Sequence, residues 1–259
     1  MSTVSISAGA GRRAPSKRAI GGVTITAMGR EEAAERLWRA IAEGEHVKLA
    51  FANANLVNFA AADAALAHAL RGFLIFPDGV GVDLGSRLLH GSPFPANLNG
   101  TDLTPYLLAT SPAPLRIMLL GARPGVAERA AAEMARSFPR HQVSALADGY
   151  FTPAQEPAIL ARLEAARPDL LLVAFGNPRQ ELWIARALDE RHCAVAAGVG
   201  ALFDFVAGEA RRAPPALRRM RMEWAWRLAH EPGRLWRRYL LGSPAFLARV
   251  VAQKLTRSA

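Results

Sequence analysis

Short apolar runs alternate along the chain with longer stretches in which apolar residues recur every three or four positions. The runs at 23–27, 47–51, 73–76, 115–120, 142–146, 170–175 and 193–197 predict strands. The periodic stretches at 30–43, 82–89, 102–109, 126–138, 153–166 and 178–191 predict helices, and so does the alanine-rich 56–70, with a break near Asp63. In the first of them Ala33, Leu37, Ala40 and Ile41 fall on one face. From 213 onward the pattern is helical and rich in Arg and Trp. Leu217, Met220, Trp224 and Leu228 recur at helical spacing with Arg218, Arg219 and Arg221 between them. Pro232 is expected to end that helix and Pro244 to start another.

Strands of four to six residues alternating with helices of 10–15 predict βαβ units. The fold class is therefore α/β: a Rossmann-like parallel-sheet core with helices on both faces, plus a C-terminal helical appendage. The continuous apolar runs at 170–175 and 193–197 fit strands buried on both sides. In such sheets a ligand sits beyond the carboxyl ends of the strands, so the residues just after each strand are where chemistry is sought.

Charge divides the chain into three parts. Residues 1–30 carry a net +5, residues 31–207 a net −4 and residues 208–259 a net +9, within a total of +10 over 259 residues. This predicts a disordered lead at 1–20, a core at 21–207 and a basic, Trp-rich appendage at 208–259. A chain cut after Gly208 is then expected to fold as a soluble core that has lost vesicle binding and transfer. No uncharged apolar stretch approaches the roughly 18–20 residues of a membrane span. Arg12-Arg13 does not make a twin-arginine signal, because the apolar stretch at 20–28 is short and is followed by Glu31 and Glu32. The single cysteine, Cys193, excludes an intrachain disulfide and a cysteine-based zinc site.

The strand ends hold polar residues in short motifs. Asn53 and Asn55 follow the strand at 47–51, and Asn55 is placed to cap the next helix. Pro77-Asp78-Gly79 is a turn signature that also sets a carboxylate at a strand end, where it can take a proton from a hydroxyl. Gly121–Gly125 is a tight turn into a helix, able to offer backbone N–H groups to phosphate but lacking a third glycine. Asn177, Pro178 and Gln180 have the spacing of a helix cap, and Glu181 stands beside them. Asp204 lies between Phe203 and Phe205, suited either to pairing with an arginine or to a ligand's polar edge. There is no Asp-x-Asp diphosphate clamp, no His/Glu set at metal-ligand spacing and no Gly-x-Ser-x-Gly, so metal-dependent and serine-hydrolase chemistry lose ground.

Taken in order, these motifs resemble the WecG/TagA/CpsF glycosyltransferases, family 26 of the glycosyltransferase classification. The matching pieces include Asn53-Ala54-Asn55, Pro77-Asp78-Gly79-Val80-Gly81, Asn99-Gly100-Thr101-Asp102-Leu103 and Asp148-Gly149-Tyr150-Phe151. They continue through Gly176-Asn177-Pro178-Arg179-Gln180-Glu181, Gly198–Asp204, Arg212-Ala213-Pro214, Glu223–Leu228 and Glu231–Tyr239. The resemblance implies inverting, metal-independent transfer of a hexosyl or N-acetylhexosaminyl (N-acetylmannosamine-type) residue from a UDP-sugar to an undecaprenyl-diphosphate-linked acceptor, in cell-surface polysaccharide biosynthesis. It implies no cofactor beyond the UDP-sugar donor. It makes Asp78 the base and puts Gln180 near the donor or acceptor sugar. Asp204 falls near the nucleotide, and Arg227, Arg234 and Arg237 close on the diphosphate. Asn53, where many relatives carry Thr, joins Asp78 and Gln180 as catalytic. Asn55, Thr101, Asp102, Tyr150 and Glu181 are carried over as substrate-binding. Arg234 and Arg237, three apart, share a helical face, with Arg238 a quarter-turn away.

The physics of the transfer agrees with these roles. One base must activate the acceptor hydroxyl, and without a metal the arginines and helix N-termini must stabilise the departing UDP. The Trp- and Arg-rich tail fits an anionic membrane surface, which implies a cytoplasmic protein held peripherally on the inner face of the bacterial plasma membrane. A homo-oligomer is compatible with the sequence. Two rival readings are a nucleotide-dependent oxidoreductase using Gly121–Gly125, for which only Asp148 could serve as the ribose-binding acid, and a nucleic-acid binder using the tail. The glycosyltransferase reading carries no nucleic-acid partner.

Overall fold

A computed structural model describes residues 16–258 except Arg221, with the side chains of Arg218, Arg219, Arg234 and Ser258 also outside the description. The Arg12-Arg13 pair and residues 1–15 of the expected lead lie outside it too. In chain order the elements are β1 (Ser16–Ile20), β2 (Val23–Ala27), α1 (Arg30–Glu43), β3 (Val47–Ala52), α2 (Ala54–Ala62), α3 (Ala64–Ala69), β4 (Phe73–Pro77), α4 (Val80–His90) and α5 (Gly100–Ala109). Then come β5 (Arg116–Gly121), α6 (Val126–Ser137), β6 (Gln142–Ala147), α7 (Glu156–Ala166), β7 (Leu170–Ala174), α8 (Arg179–Ala187), β8 (Val195–Gly198) and α9 (Leu202–Val206). The tail comprises α10 (Pro215–Arg219), α11 (Glu223–His230), α12 (Pro232–Trp236), a π-helical segment Arg237–Leu241 and α13 (Gly242–Ser258).

Six strands form one parallel sheet in the order β4-β3-β8-β7-β5-β6. Their side chains alternate between two apolar layers, as the twofold period of a strand requires. Leu170 and Leu172 of β7 pack with α1, α5 and α6, while Leu171 and Val173 pack with α7 and α8. Toward the β4 edge the second layer is filled by Leu56 and Val57 of α2, Val82 of α4 and the β1–β2 pair. The chain steps outward from β3 to β4, crosses to β5, steps outward the other way to β6, and fills the middle with β7 and β8. That reversal opens a crevice beyond the carboxyl ends of the central strands.

Three departures from the sequence pattern have local causes. Ser16–Ile20, expected within the disordered lead, is a strand paired antiparallel with β2. The body holds it there: the Arg18 guanidinium donates to Ser86 Oγ and to the carbonyls of Ser92 and Pro93, and lies over the Phe94 ring. Helix α8 stops at Ala187 rather than 191, because Asp189 accepts from the Arg191 backbone N–H and turns the chain. In the tail, α11 ends at His230 just before Pro232, as expected, but Pro232 also opens α12, and the single stretch expected across Leu217–Leu228 is broken between α10 and α11.

The end of the tail is part of the body. Phe246 and Val250 of α13 are buried in the α2–α4 layer. A Cβ on Gly85 of α4 would meet Ile20 Cγ2 at 3.0 Å, Phe246 Cζ at 3.2 Å and Val250 Cγ2 at 3.4 Å, so a larger residue there would press α13 outward by a few tenths of an ångström. Gln253 accepts from the Gly21 N–H at 2.7 Å and donates to the Ala19 carbonyl at 3.1 Å, and Asn58 donates to the Gly242 carbonyl at 2.7 Å. A chain cut after Gly208 would uncover this layer, against the expectation that it folds alone. Phe246→Ala should cost about 3–5 kcal/mol of stability, the range for deleting a buried phenyl ring. An unchanged urea midpoint would show that α13 is dispensable to the fold.

Candidate active site

The strand-end motifs line one rim of the sheet. Asp78 follows β4 at one edge and Tyr150 follows β6 at the other, with the ends of β3, β8, β7 and β5 between them. Five strand spacings make that rim about 24 Å long.

Asp78 is held from β3 and β4 together. Its N–H donates to the Ala52 carbonyl at 2.8 Å, which continues the β3–β4 ladder by one bond. Asn53, not Asn55, caps α2: Asn53 Oδ1 accepts from the N–H groups of Asn55 and Leu56, each at 3.1 Å. That fixes which way the amide faces, so Asn53 Nδ2 is left to donate to Asp78 Oδ2 at 3.1 Å. Gly79, at φ +90°, turns the chain sharply into α4, and its N–H is taken by Asn97 Oδ1. Burial raises the Asp78 carboxyl above the ordinary aspartate range. The Asn53 hydrogen bond and the charges of Arg238 and Arg227 pull it down, and Asp102 pushes it up again.

The other wall comes from α5 and the tail. Asp102 sits in the first turn of α5 behind Asn99, with which it exchanges two hydrogen bonds. Its second oxygen accepts from Arg212 at 2.7 Å. Arg212 also lies 3.8 Å from Glu223 of α11. Phe205 of α9 carries two guanidinium groups on its ring, Arg212 at 5.8 Å and Arg227 at 5.4 Å. The Nε atoms of both arginines are buried, with no hydrogen-bond partner among the described residues. The Glu223 carboxyl is raised by burial, lowered by Arg212, and then feels Asp102, Arg227 and Asp78 in turn. Three carboxylates and three arginines thus share one field around Asp78.

A second cluster stands at the ends of β7 and β8. Gln180 is 2% exposed, and its Oε1 accepts from the N–H groups of Gly176 and Gly200, each at 3.1 Å. It ties the two loops together against Gly198, where any Cβ would strike its amide at 2.8 Å. Gln180 Nε2 and Asn177 Nδ2 both donate to Glu181 Oε1, at 2.8 and 2.6 Å. Asn177 therefore serves Glu181 and is not the N-cap of α8, a position Pro178 takes. Glu181 is fully buried, and its Oε2 has no hydrogen-bond partner among the described residues.

Burial pushes the Glu181 carboxyl up to about 7, against the hydrogen bonds from Gln180 and Asn177. An unfolded glutamate titrates near 4.5, so the folded chain binds this proton more tightly. The stability it confers is full below about pH 4.5 and is lost as pH rises through about 7. Glu181→Gln keeps an oxygen for both amides and removes the buried charge. Its Tm should exceed that of the parent at pH 8 and match it at pH 5; a Tm lowered equally at both would show that ionisation of Glu181 does not govern stability.

The remaining candidates are spread out. Asn55 and Thr101 lie in the first turns of α2 and α5, flanking Asp78 and Asp102. Asp204 is in α9, partly exposed, and its backbone carbonyl accepts from the Ala210 N–H. Tyr150 is 68% exposed and borders a depression of about 370 Å³ between β6 and α7. Arg237 is exposed and lies over the Trp236 ring at 5.2 Å, while its neighbour Arg238 faces the field of Asp78. Arg234 belongs to α12, and its side chain is outside the description. Sequence reasoning did not single out Arg212, Glu223, Phe205 or Arg238 as members of the site. All four stand inside or beside the quoted motifs, and the motif ends were the available signal. Among the described residues no three His, Cys, Asp or Glu side chains gather as a metal cage would require, and no helix is long and apolar enough to cross a membrane.

Comparison with known proteins bears on this arrangement. The model of the glycosyl transferase WecG/TagA/CpsF family matches residues 18–259. The chain is 34% identical over 178 residues to an N-acetylglucosaminyldiphosphoundecaprenol N-acetyl-beta-D-mannosaminyltransferase of Bacillus spizizenii, an alignment covering 68% of this chain and 67% of that protein. It is 31% identical over 182 residues to the Bacillus subtilis protein of the same name, covering 70% and 69%.

Proposed function

The chain belongs to the WecG/TagA/CpsF family and is a glycosyltransferase, and from that premise we propose that it moves an N-acetylmannosamine-type residue from a UDP-sugar to an undecaprenyl-diphosphate-linked acceptor, with inversion and without a metal ion. The observation that carries the reading is the convergence of one carboxylate, Asp78, with arginines delivered by a separate segment of the chain. A transfer of this kind needs a base on one side of the anomeric carbon and positive charge on the other.

In this mechanism Asp78 accepts the proton of the acceptor hydroxyl as that oxygen attacks the anomeric carbon. The bond from that carbon to the donor's phosphate oxygen breaks, and its electron pair leaves with UDP. Arg227, with Arg212 and Arg238 around it, offsets the charge that grows on the diphosphate. The raised pKa of Asp78 makes it a better proton acceptor than an exposed aspartate, and the arginines oppose that rise in favour of the charged form. Asn53 orients the carboxylate. Gln180 and Glu181, both buried, act as positioning residues that set the Gly176 and Gly200 loops. Tyr150, Asp204 and Thr101 remain assigned to the donor and acceptor along the rim.

The acceptor is a membrane lipid, and α13 has a surface suited to one. Phe246, Val250 and Gln253 turn inward, while Leu247, Val251 and Leu255 form an exposed stripe at intervals of four. Lys254 borders that stripe on the helical wheel, and a cation near an anionic bilayer contributes about 1 kcal/mol. This supports peripheral attachment to the inner face of the plasma membrane. Replacing all three stripe residues by Ser should lower co-sedimentation with anionic vesicles several-fold and leave the circular dichroism spectrum unchanged; full retention would exclude α13 as the contact.

UDP release, measured across a panel of UDP-sugars with a short-chain polyprenyl-diphosphate N-acetylglucosamine acceptor, tests the whole reading. The UDP-N-acetylmannosamine arm should turn over, with EDTA leaving its rate intact. Turnover lost in EDTA and restored by Mg²⁺ would remove metal independence, and no release with any UDP-sugar would remove the donor assignment.

A further inference from the structure

At the opposite end of β3 from Asn53 lies a depression of about 740 Å³ that the transfer mechanism does not use. Its floor is the start of β3, and its walls are the turn from α3 into β4 and the last turns of α8. Five of its lining side chains are basic, His46, Lys48, His68, Arg71 and Arg186, and none of those lining it is acidic. The rest of the lining is small or apolar. This concentration runs against the local composition, because residues 31–207 carry a net charge of −4.

Lys48, Arg71 and Arg186, the three with a fixed charge, are only partly neutralised. Arg186 is paired with Glu156 at 2.8 Å. Lys48 Nζ donates one bond, to the Ala185 carbonyl at 3.1 Å, which leaves two N–H groups. Arg71 is exposed, and neither it, Lys48 nor His68 has an ion-pair partner among the described residues. His46 Nδ1 lies 2.8 Å from the Cys193 carbonyl and must donate to it, while Nε2 is shut off from water with no partner. Like charges set side by side in a concave site repel unless an anion lies between them. The volume falls in the range of small-molecule sites and exceeds what a single phosphate fills.

We propose that this depression, walled by Lys48, Arg71, His46, His68 and Arg186, is a second binding site for a multiply charged phosphate ligand of diphosphate type. The six residues of β3 set it about 20 Å from Asp78, so it is separate from the catalytic cleft. A nucleotide diphosphate and the diphosphate of a lipid share the recognised group.

Calorimetric titration of the full-length chain with inorganic pyrophosphate at low salt tests the site. The parent should take up pyrophosphate at two sites. Lys48→Met combined with Arg71→Gln should weaken one of them at least tenfold, and Arg227→Gln should weaken the other. Arg71→Gln alone, a change at an exposed residue, should weaken the same site as the double variant by at least threefold. Neither Lys48 nor Arg71 is part of the transfer machinery, so UDP release at saturating substrates should be unchanged in both variants. An isotherm that the double variant leaves as it was would overturn the proposal, whatever the fate of the transferase reading. Repeating the titration with UDP, and with short-chain polyprenyl diphosphate in detergent, distinguishes the sources: the true ligand loses affinity in the double variant, and if neither does, the diphosphate assignment falls.

Discussion

Asp78→Asn is expected to keep the fold and the binding of UDP while lowering turnover by roughly 10²–10⁴-fold, the usual worth of a general base. The exchange is nearly isosteric, and the hydrogen bonds that place residue 78 come from its own backbone, to Ala52, and from Asn53. What is lost is the ability to take the acceptor's proton. The parent's pH profile should report the same group. Burial holds the Asp78 carboxyl above the ordinary aspartate range, so kcat/KM should fall on the acid side at a pH above that range and level off above it. Near-normal turnover in purified Asp78→Asn would remove Asp78 from the mechanism. Asn53→Ala should act in the same direction through two losses: a helix cap worth about 1 kcal/mol and the bond that orients the carboxylate.

Arg227→Gln should lower kcat by roughly 10²–10³-fold, the scale on which one preorganised group facing developing charge acts in a water-poor site. Its effect should be visible twice. The charge on Arg227 lowers the pKa of Asp78, so its removal should move the acid limb of the pH profile to higher pH. Loss of a purely structural contact would lower stability without moving that limb. Arg212 provides the complementary case. Its bond to Asp102 ties the tail to α5, and Asp102 in turn raises the pKa of Asp78. Arg212→Gln frees the Asp102 charge and loosens α11, so it should also shift the limb upward. A shift in neither variant would mean that the tail does not touch the base electrostatically in solution.

The pair Asn53 and Asp78 shows how far pattern alone reaches. Both were legible as polar residues at strand ends, because the alternation of apolar runs and periodic stretches locates strand ends well. Their bond was not, because it depends on β3 and β4 being neighbours in register, with Ala52 beside Pro77. The spacing put Asn55 at the cap of α2, but the helix begins two residues earlier than expected, at Ala54, so Asn53 takes the cap. Gln180 and Glu181 were recognised as a motif at the mouth of a cleft. Their burial follows from the closeness of β7 to β8, which packs the Gln180 amide against Gly198.

The tail marks the other limit. Its charge, its tryptophans and its helical spacing are all properties of the sequence. Helical arithmetic sets Arg238 about a quarter-turn from Arg237, but an isolated helix has no inside. Only its seat on the body decides that Arg238 turns toward Asp78 while Arg237 lies on Trp236. Likewise a run containing Phe246 and Val250 cannot announce that Gly85, some 160 residues earlier, leaves the gap they fill. Periodicity is a local quantity, and it determined the order of strands and helices, the face each buries and the motifs at their ends. Pairing of strands, depth of burial and the shared field of Asp78, Asp102 and Glu223 arise between segments far apart in the chain, and only the tertiary structure decided them.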